Sequence, residues 1–175
     1  MLHTIVVLVE DKPGVLNRVA SLFRRRAFNI ESLTVGHTSD PGISRMTIVV
    51  DSNESNTQRM TSYLYKLVNV IQVEDLTAMP MVRRDLAMIK VKAGIENRTD
   101  IMQMVEVYRA RIVGVTNNSL IIEITGDEEK INSFVDVLKP LGIIEMVRTG
   151  AVAMSRGAVG FSNGNGHVSA SVGSA

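Results

Sequence analysis

The first half of the chain alternates between short β-branched runs and helix-period stretches. Ile5-Val6-Val7-Leu8-Val9 is apolar and predicts a strand over Leu2–Glu10. Val15, Val19, Leu22 and Phe23 recur at helical spacing and predict a helix over Gly14–Arg25. A second strand follows over Asn29–His37, a turn at Asp40-Pro41-Gly42, and a third strand over Ser44–Asp51. In that third strand Met46, Ile48 and Val50 alternate with Arg45, Thr47 and Val49. A helix over Glu54–Leu67, with Met60, Leu64 and Leu67 inward, and a strand over Val70–Ala78 complete the set.

The second half repeats the order. A strand over Leu86–Lys92 precedes a helix over Asn97–Tyr108 that turns Ile101, Met104, Val105 and Tyr108 inward. Ala110–Thr116 and Ser119–Thr125 form a hairpin across Asn117-Asn118. Asp127 caps a helix with inner residues Ile131, Phe134, Val135 and Leu138; Pro140 follows it, and Ile143–Arg148 is the last strand. The fold class is therefore α+β, two tandem ferredoxin-like β-α-β-β-α-β domains. Expected boundaries are a first domain over 1–79, a linker over 80–84 and a second domain over 85–157. A Gly/Ser/Asn-rich stretch over 158–175 is expected to be a flexible tail.

Composition removes several classes of chemistry. With 175 residues and 45% hydrophobic content, the chain has enough length for real cores. There is no cysteine, which excludes disulfides, thiolate metal sites and cysteine nucleophiles. The three histidines, His3, His37 and His167, are scattered, so no metal-ligand spacing or catalytic triad can be built from them. A net charge of +1 argues against a large nucleic-acid footprint. No apolar run reaches the ~20 residues of a membrane helix. The chain opens directly in a strand pattern without a signal-peptide profile, so a cytoplasmic location is expected.

The most informative segment is Glu10-Asp11-Lys12-Pro13-Gly14-Val15-Leu16, where strand passes into helix. A helix start carries unpaired N–H groups that suit a carboxylate. Gly14, lacking Cβ, lets a ligand approach the backbone, and Glu10 and Asp11 supply acceptors beside those donors. The set suits a zwitterion; an ordinary strand-to-helix turn is the plainer reading. The counterpart in the second half, Ala93-Gly94-Ile95-Glu96-Asn97-Arg98, lacks this pattern, so the loop occurs once.

Asn29–Val35 is the second candidate. In a ferredoxin-like sheet this strand lies at an edge, and Ile30, Leu33 and Val35 on an open edge invite pairing with a second copy. Asn29 would then approach the partner's loop; a self-contained edge strand capped by Asn29 is the alternative. Arg24-Arg25-Arg26 ends the first helix, where cations complement the dipole, with phosphate binding or partner docking as the other reading. Glu74 and Asp75 are neighbours on a strand, point to opposite faces and do not form a catalytic pair.

The loop over residues 10–16 on a β-α-β-β-α-β unit resembles the ACT domain, an amino-acid-binding regulatory module. The runs Phe28–Val35 and Ser44–Ile48 are more specific, and resemble the small, regulatory subunit of acetolactate synthase (acetohydroxyacid synthase). Leu67–Val70, Arg84–Val91 and Thr149–Gly157 fit the same family.

The resemblance implies a non-catalytic chain without metal or cofactor of its own. It would activate a catalytic subunit carrying thiamine diphosphate, Mg²⁺ and FAD, and confer feedback inhibition by valine. It also implies a homodimer or higher oligomer. The implied valine site comprises Asp11, Gly14, Val15 and Leu16 of one subunit with Asn29 and Ile30 of another; Asn29, Ile30, Leu33 and Val35 form the implied dimer interface. Position 11 is often Asn in the family, so Asp11 keeps the acceptor and lacks the amide donor. Two rival readings are a regulatory ACT protein of another amino-acid enzyme or of a transcriptional regulator, and an RRM-type nucleic-acid binder. The latter needs exposed aromatics on central strands, which this chain lacks.

Overall fold

The computed structural model describes residues 1–157, apart from the side chains of residues 54 and 55. The stretch 158–175, expected as a tail, lies outside the described residues, and His167 with it. The elements are β1 (Leu2–Glu10), α1 (Val15–Arg25), β2 (Ile30–His37), β3 (Ile43–Asp51), α2 (Glu54–Leu64) and β4 (Val70–Asp75). They continue with β5 (Met81–Lys92), α3 (Arg98–Val107), β6 (Arg111–Val115), β7 (Ser119–Gly126), α4 (Glu128–Leu138), β8 (Ile143–Arg148) and β9 (Val152–Ser155). The fold is α+β, with the β-α-β-β-α-β order present twice.

The chain divides into two compact units. One holds Met1–Glu31, Val35–Val82 and the segment from Met154; the other holds Ser32–Thr34 and Arg83–Ala153. Ser32 and Thr34 group with the second unit through Ala151, whose N–H donates to Ser32 Oγ at 2.9 Å and whose carbonyl accepts from Thr34 Oγ1 at 2.6 Å.

In the first sheet the order is β2-β3-β1-β4. The antiparallel register sets Ile5 opposite Ile48 and Val7 opposite Met46. Val15, Val19, Leu22 and Phe23 of α1, and Met60 and Leu64 of α2, are buried with them. The alternation along β3 does not divide a buried face from an exposed one: Met46 to Val50 are all buried, Thr47 and Val49 included. β1 and β3 are the two central strands, and where neither face of a strand meets water a periodicity of two loses its meaning.

The second sheet has the order β6-β7-β5-β8, with β9 also paired to β5. Ala87, Ile89 and Val91 face Ile124, Ile122 and Leu120 across the strands, and these six join Ile101, Val105, Ile131, Phe134 and Leu138 in one core. Tyr108 packs on Phe134 with ring centroids 4.8 Å apart. Asp127 caps α4 by accepting from Lys130 N–H at 2.9 Å, as its position predicts. The hairpin closes across Asn117-Asn118, with Thr116 N–H donating to Ser119 at 2.9 Å.

Three features depart from the sequence reading. Residues 80–84 are not an irregular connection, because β5 already begins at Met81. β9 is an additional strand, short and alternating, with Ala153 buried and Val152 and Met154 exposed. Helices α1 and α3 both end in Schellman geometry on residues other than glycine. Ala27 (φ 56°) and Arg109 (φ 52°) are left-handed, and the next N–H groups, of Phe28 and Ala110, bond back to Phe23 and Val105.

Candidate ligand site

Gly14 is the N-cap of α1, in the left-handed region at φ 84°, and no side chain caps this helix. There is no acidic residue in its first turn. Val15 N–H donates to Lys12 O at 3.3 Å, whereas the N–H groups of Gly14, Leu16 and Asn17 have no acceptor among the described residues. A Cβ built on Gly14 would meet nothing within 4 Å, so the approach to these donors is open. The chain arrives here with a left-handed turn that glycine adopts without the Cβ clash of other residues.

The loop is held at both ends. Asp11 N–H donates to Gly42 O at 2.8 Å, tying it to the β2–β3 turn. Glu10 N–H donates to Asn69 O at 2.9 Å, and Asn69 Nδ2 returns a bond to Glu10 Oε2 at 2.6 Å. Arg18 of α1 donates to the Asn69 side-chain oxygen, and Lys12 Nζ lies 3.0 Å from Glu10 Oε2. The Asn69 hydrogen bond, aided by Lys12, holds the Glu10 carboxyl below its ordinary pKa. Asn69 is buried, sits just ahead of β4, and reaches β1 and α1 at once. The run Leu67–Val70 fits the family by sequence, but nothing in it marks Asn69 as the residue that braces the loop.

The residues singled out from the sequence divide. Asp11 and Gly14 are exposed at the loop; Leu16 presents an apolar side chain that is 45% exposed beside the free N–H groups. Val15, by contrast, is 4% exposed and belongs to the core, so its side chain is not available to a ligand. Asp11 Oδ2 lies 3.4 Å from His37 Nδ1 at the end of β2, which adds a histidine that the sequence reading left unassigned. His3 is buried, with Nδ1 3.3 Å from Asp75 Oδ2.

Asn29 and Ile30 lie elsewhere. They follow the C-terminal end of α1, whereas Gly14 starts it, and eleven helical residues separate the two ends by about 16 Å. One chain therefore does not bring Asn29 to Gly14. Asn29 is exposed and donates to Glu31; Ile30 is half-buried. β2 is one of the two edge strands of its sheet, and Val35 on it is 43% exposed. Alternation sets Leu33 and Val35 on one face and Ile30 on the other, with Ser32 and Thr34.

Among the described residues no cluster of His, Asp or Glu is arranged to hold a metal, and no helix is long and apolar enough to cross a membrane.

Comparison with known proteins agrees in both halves. Residues 5–72 match a family described as the AHAS small subunit-like ACT domain, and residues 84–157 match the small subunit of acetolactate synthase. The probable acetolactate synthase small subunit of Archaeoglobus fulgidus is 52% identical, over 90% of this chain and 98% of its own. The acetolactate synthase small subunit of Mycobacterium leprae is 49% identical, over 89% and 91%. The crystal structure of the small subunit from Thermotoga maritima superposes with a TM-score of 0.85 at 40% identity, covering 91% of this chain and 99% of that one. A loop built around a left-handed Gly14 on an ACT-type sheet, with relatives matched along nearly their whole length, places this chain in the acetolactate synthase small-subunit family.

Proposed function

We propose that this chain is the non-catalytic regulatory subunit of acetolactate synthase, raising the activity of a catalytic subunit and making it sensitive to valine in branched-chain amino-acid synthesis. The observation that carries the reading is the uncapped start of α1 at Gly14. Free backbone donors, an open approach and the exposed Leu16 side chain suit the carboxylate and alkyl ends of a small apolar amino acid. Acceptors for the ammonium are at hand in Asp11 and in backbone carbonyls. The distance between Gly14 and Asn29 fits a site shared by two copies joined along β2, with Asn29 and Ile30 supplied by the second copy. Thiamine diphosphate, Mg²⁺ and FAD belong, in this reading, to the catalytic subunit.

Reconstitution tests it. The chain alone, supplied with pyruvate, thiamine diphosphate, Mg²⁺ and FAD, should form no acetolactate. Added to the matching catalytic subunit, it should raise turnover and introduce inhibition by valine. Product formation by the chain alone, or a reconstituted enzyme indifferent to valine, would overturn the proposal.

A further inference from the structure

The basic run Arg24-Arg25-Arg26 takes no part in the site above, and the fold gives it company. Arg59 and Tyr63 lie one turn apart on α2, and Lys66 follows just beyond its end. The Arg26 guanidinium carbon sits 3.9 Å from the centre of the Tyr63 ring, and Lys66 Nζ sits 5.4 Å from it. Arg24 and Arg25 are exposed in the last turn of α1, and Arg59 is exposed as well.

None of Arg24, Arg25, Arg26, Arg59 and Lys66 has a carboxylate partner among the described residues. Between α1 and α2 lies an open cavity of about 570 Å³, lined by Arg26, Asn29, Asn56, Arg59 and Tyr63 among others. The carboxylate among its described lining residues, Asp51, pairs with the N-terminal ammonium at 2.6 Å. Arg26 and Lys66 meet at Tyr63, Arg59 lines the cavity beside them, and Arg24 and Arg25 lie within two residues of Arg26, so positive potential is concentrated here on a chain whose net charge is only +1.

Several observations favour an acidic protein surface over nucleic acid or a small anion. Arg24 and Arg25 are successive helix residues, about 100° apart, and so spread over a surface instead of converging on one oxyanion. The Tyr63 ring already carries two cations and is not free to stack on a base. We propose that the surface formed by Arg24, Arg25, Arg26, Arg59 and Lys66 around Tyr63 docks an acidic face of the catalytic subunit. The inference rests on the regulatory reading and adds the place of contact.

The test is association of the full chain with the matching catalytic subunit, followed by sedimentation at several salt concentrations. The variant Arg24→Glu/Arg25→Glu/Arg59→Glu leaves the Arg26–Tyr63 stack in place. It should bind at least about tenfold more weakly at 50 mM salt, and salt should weaken it far less than the unmodified chain. The milder Arg24→Gln/Arg25→Gln/Arg59→Gln should fall between the two and covers the case in which reversal impairs folding. Lys92→Glu/Arg111→Glu, two exposed cations of the second unit, should leave association within about twofold.

Valine binding to the isolated variant, measured by calorimetry, should match the unmodified chain. Equal affinity and equal salt dependence of the folded patch variants would overturn the proposal, even if the patch proved to bind inorganic phosphate or DNA. Failure of the unmodified chain to associate at all would instead overturn the regulatory reading on which it rests.

Discussion

Gly14→Asp isolates the carboxylate-binding role of the α1 start. The isolated chain has room for the substitution, because a Cβ at Gly14 meets nothing within 4 Å. The cost is conformational: at φ 84° an L-residue loses about 1 kcal/mol relative to glycine, and Asp tolerates this region better than most. A carboxylate at the N-cap also stabilises the helix, by about 0.3–1 kcal/mol, so the two terms nearly cancel and folding is retained.

Ligand binding has no such compensation. Two like charges about 4 Å apart repel by about 4 kcal/mol at an effective dielectric near 20, and partial solvent exposure reduces this to about 2–4 kcal/mol. Valine affinity should therefore fall by roughly thirty- to nine-hundred-fold. Gly14→Asn provides the control, with the same shape and backbone preference but no charge, and should lose much less. Calorimetric titration of each purified variant with valine gives the affinities, and circular dichroism checks the fold. If Gly14→Asp is folded and binds valine as tightly as the unmodified chain, the carboxylate does not sit on this helix start.

Four further outcomes follow from the geometry. Leu33→Lys/Val35→Lys places like charges along the β2 edge and should shift the chain toward monomer in analytical ultracentrifugation; unchanged sedimentation would move the interface elsewhere. Phe134→Ala empties a fully buried position beside Tyr108 and should cost about 3–5 kcal/mol in urea unfolding, and a loss below about 1 kcal/mol would contradict the packing. Arg109→Gly removes left-handed strain at the end of α3 and should raise stability by about 1 kcal/mol, where a loss would contradict the Schellman assignment. The Glu10 carboxyl is held down by Asn69 and Lys12, and that of Asp51 by the N-terminal ammonium. Both contribute stability that is complete above the ordinary values of 4.5 and 3.8 and is lost as pH falls through the lower folded values. An NMR titration should find Glu10 ionising below 4.5 and moving up in Asn69→Ala; an ordinary value in the unmodified chain would refute the brace.

The local signals in this sequence were sufficient for the order of elements, the Asp127 cap, the Asn117-Asn118 hairpin and the turn at Gly14. Each depends on residues within four or five positions of one another, where propensity and capping act directly. The tertiary structure decided what depends on neighbours far along the chain. The alternation along β3 does not divide buried from exposed, because both of its faces are withdrawn from water and Thr47 and Val49 are as buried as Ile48. β5 ran through the expected linker, and β9 appeared, because strand pairing supplied partners that short polar or mixed sequences do not announce. Ala27 and Arg109 took left-handed conformations because closing hydrogen bonds at the ends of α1 and α3 offset a local penalty. Asn69 reached Glu10 across 59 positions and Arg18 across 51, a brace that no local pattern encodes. The side chain of Val15 enters the core while that of Leu16 stays exposed, since residues one apart on a helix point about 100° from each other. The sequence specified a helix start able to receive a carboxylate. Only the folded chain showed that this start is uncapped, with the N–H groups of Gly14, Leu16 and Asn17 left without an acceptor among the described residues.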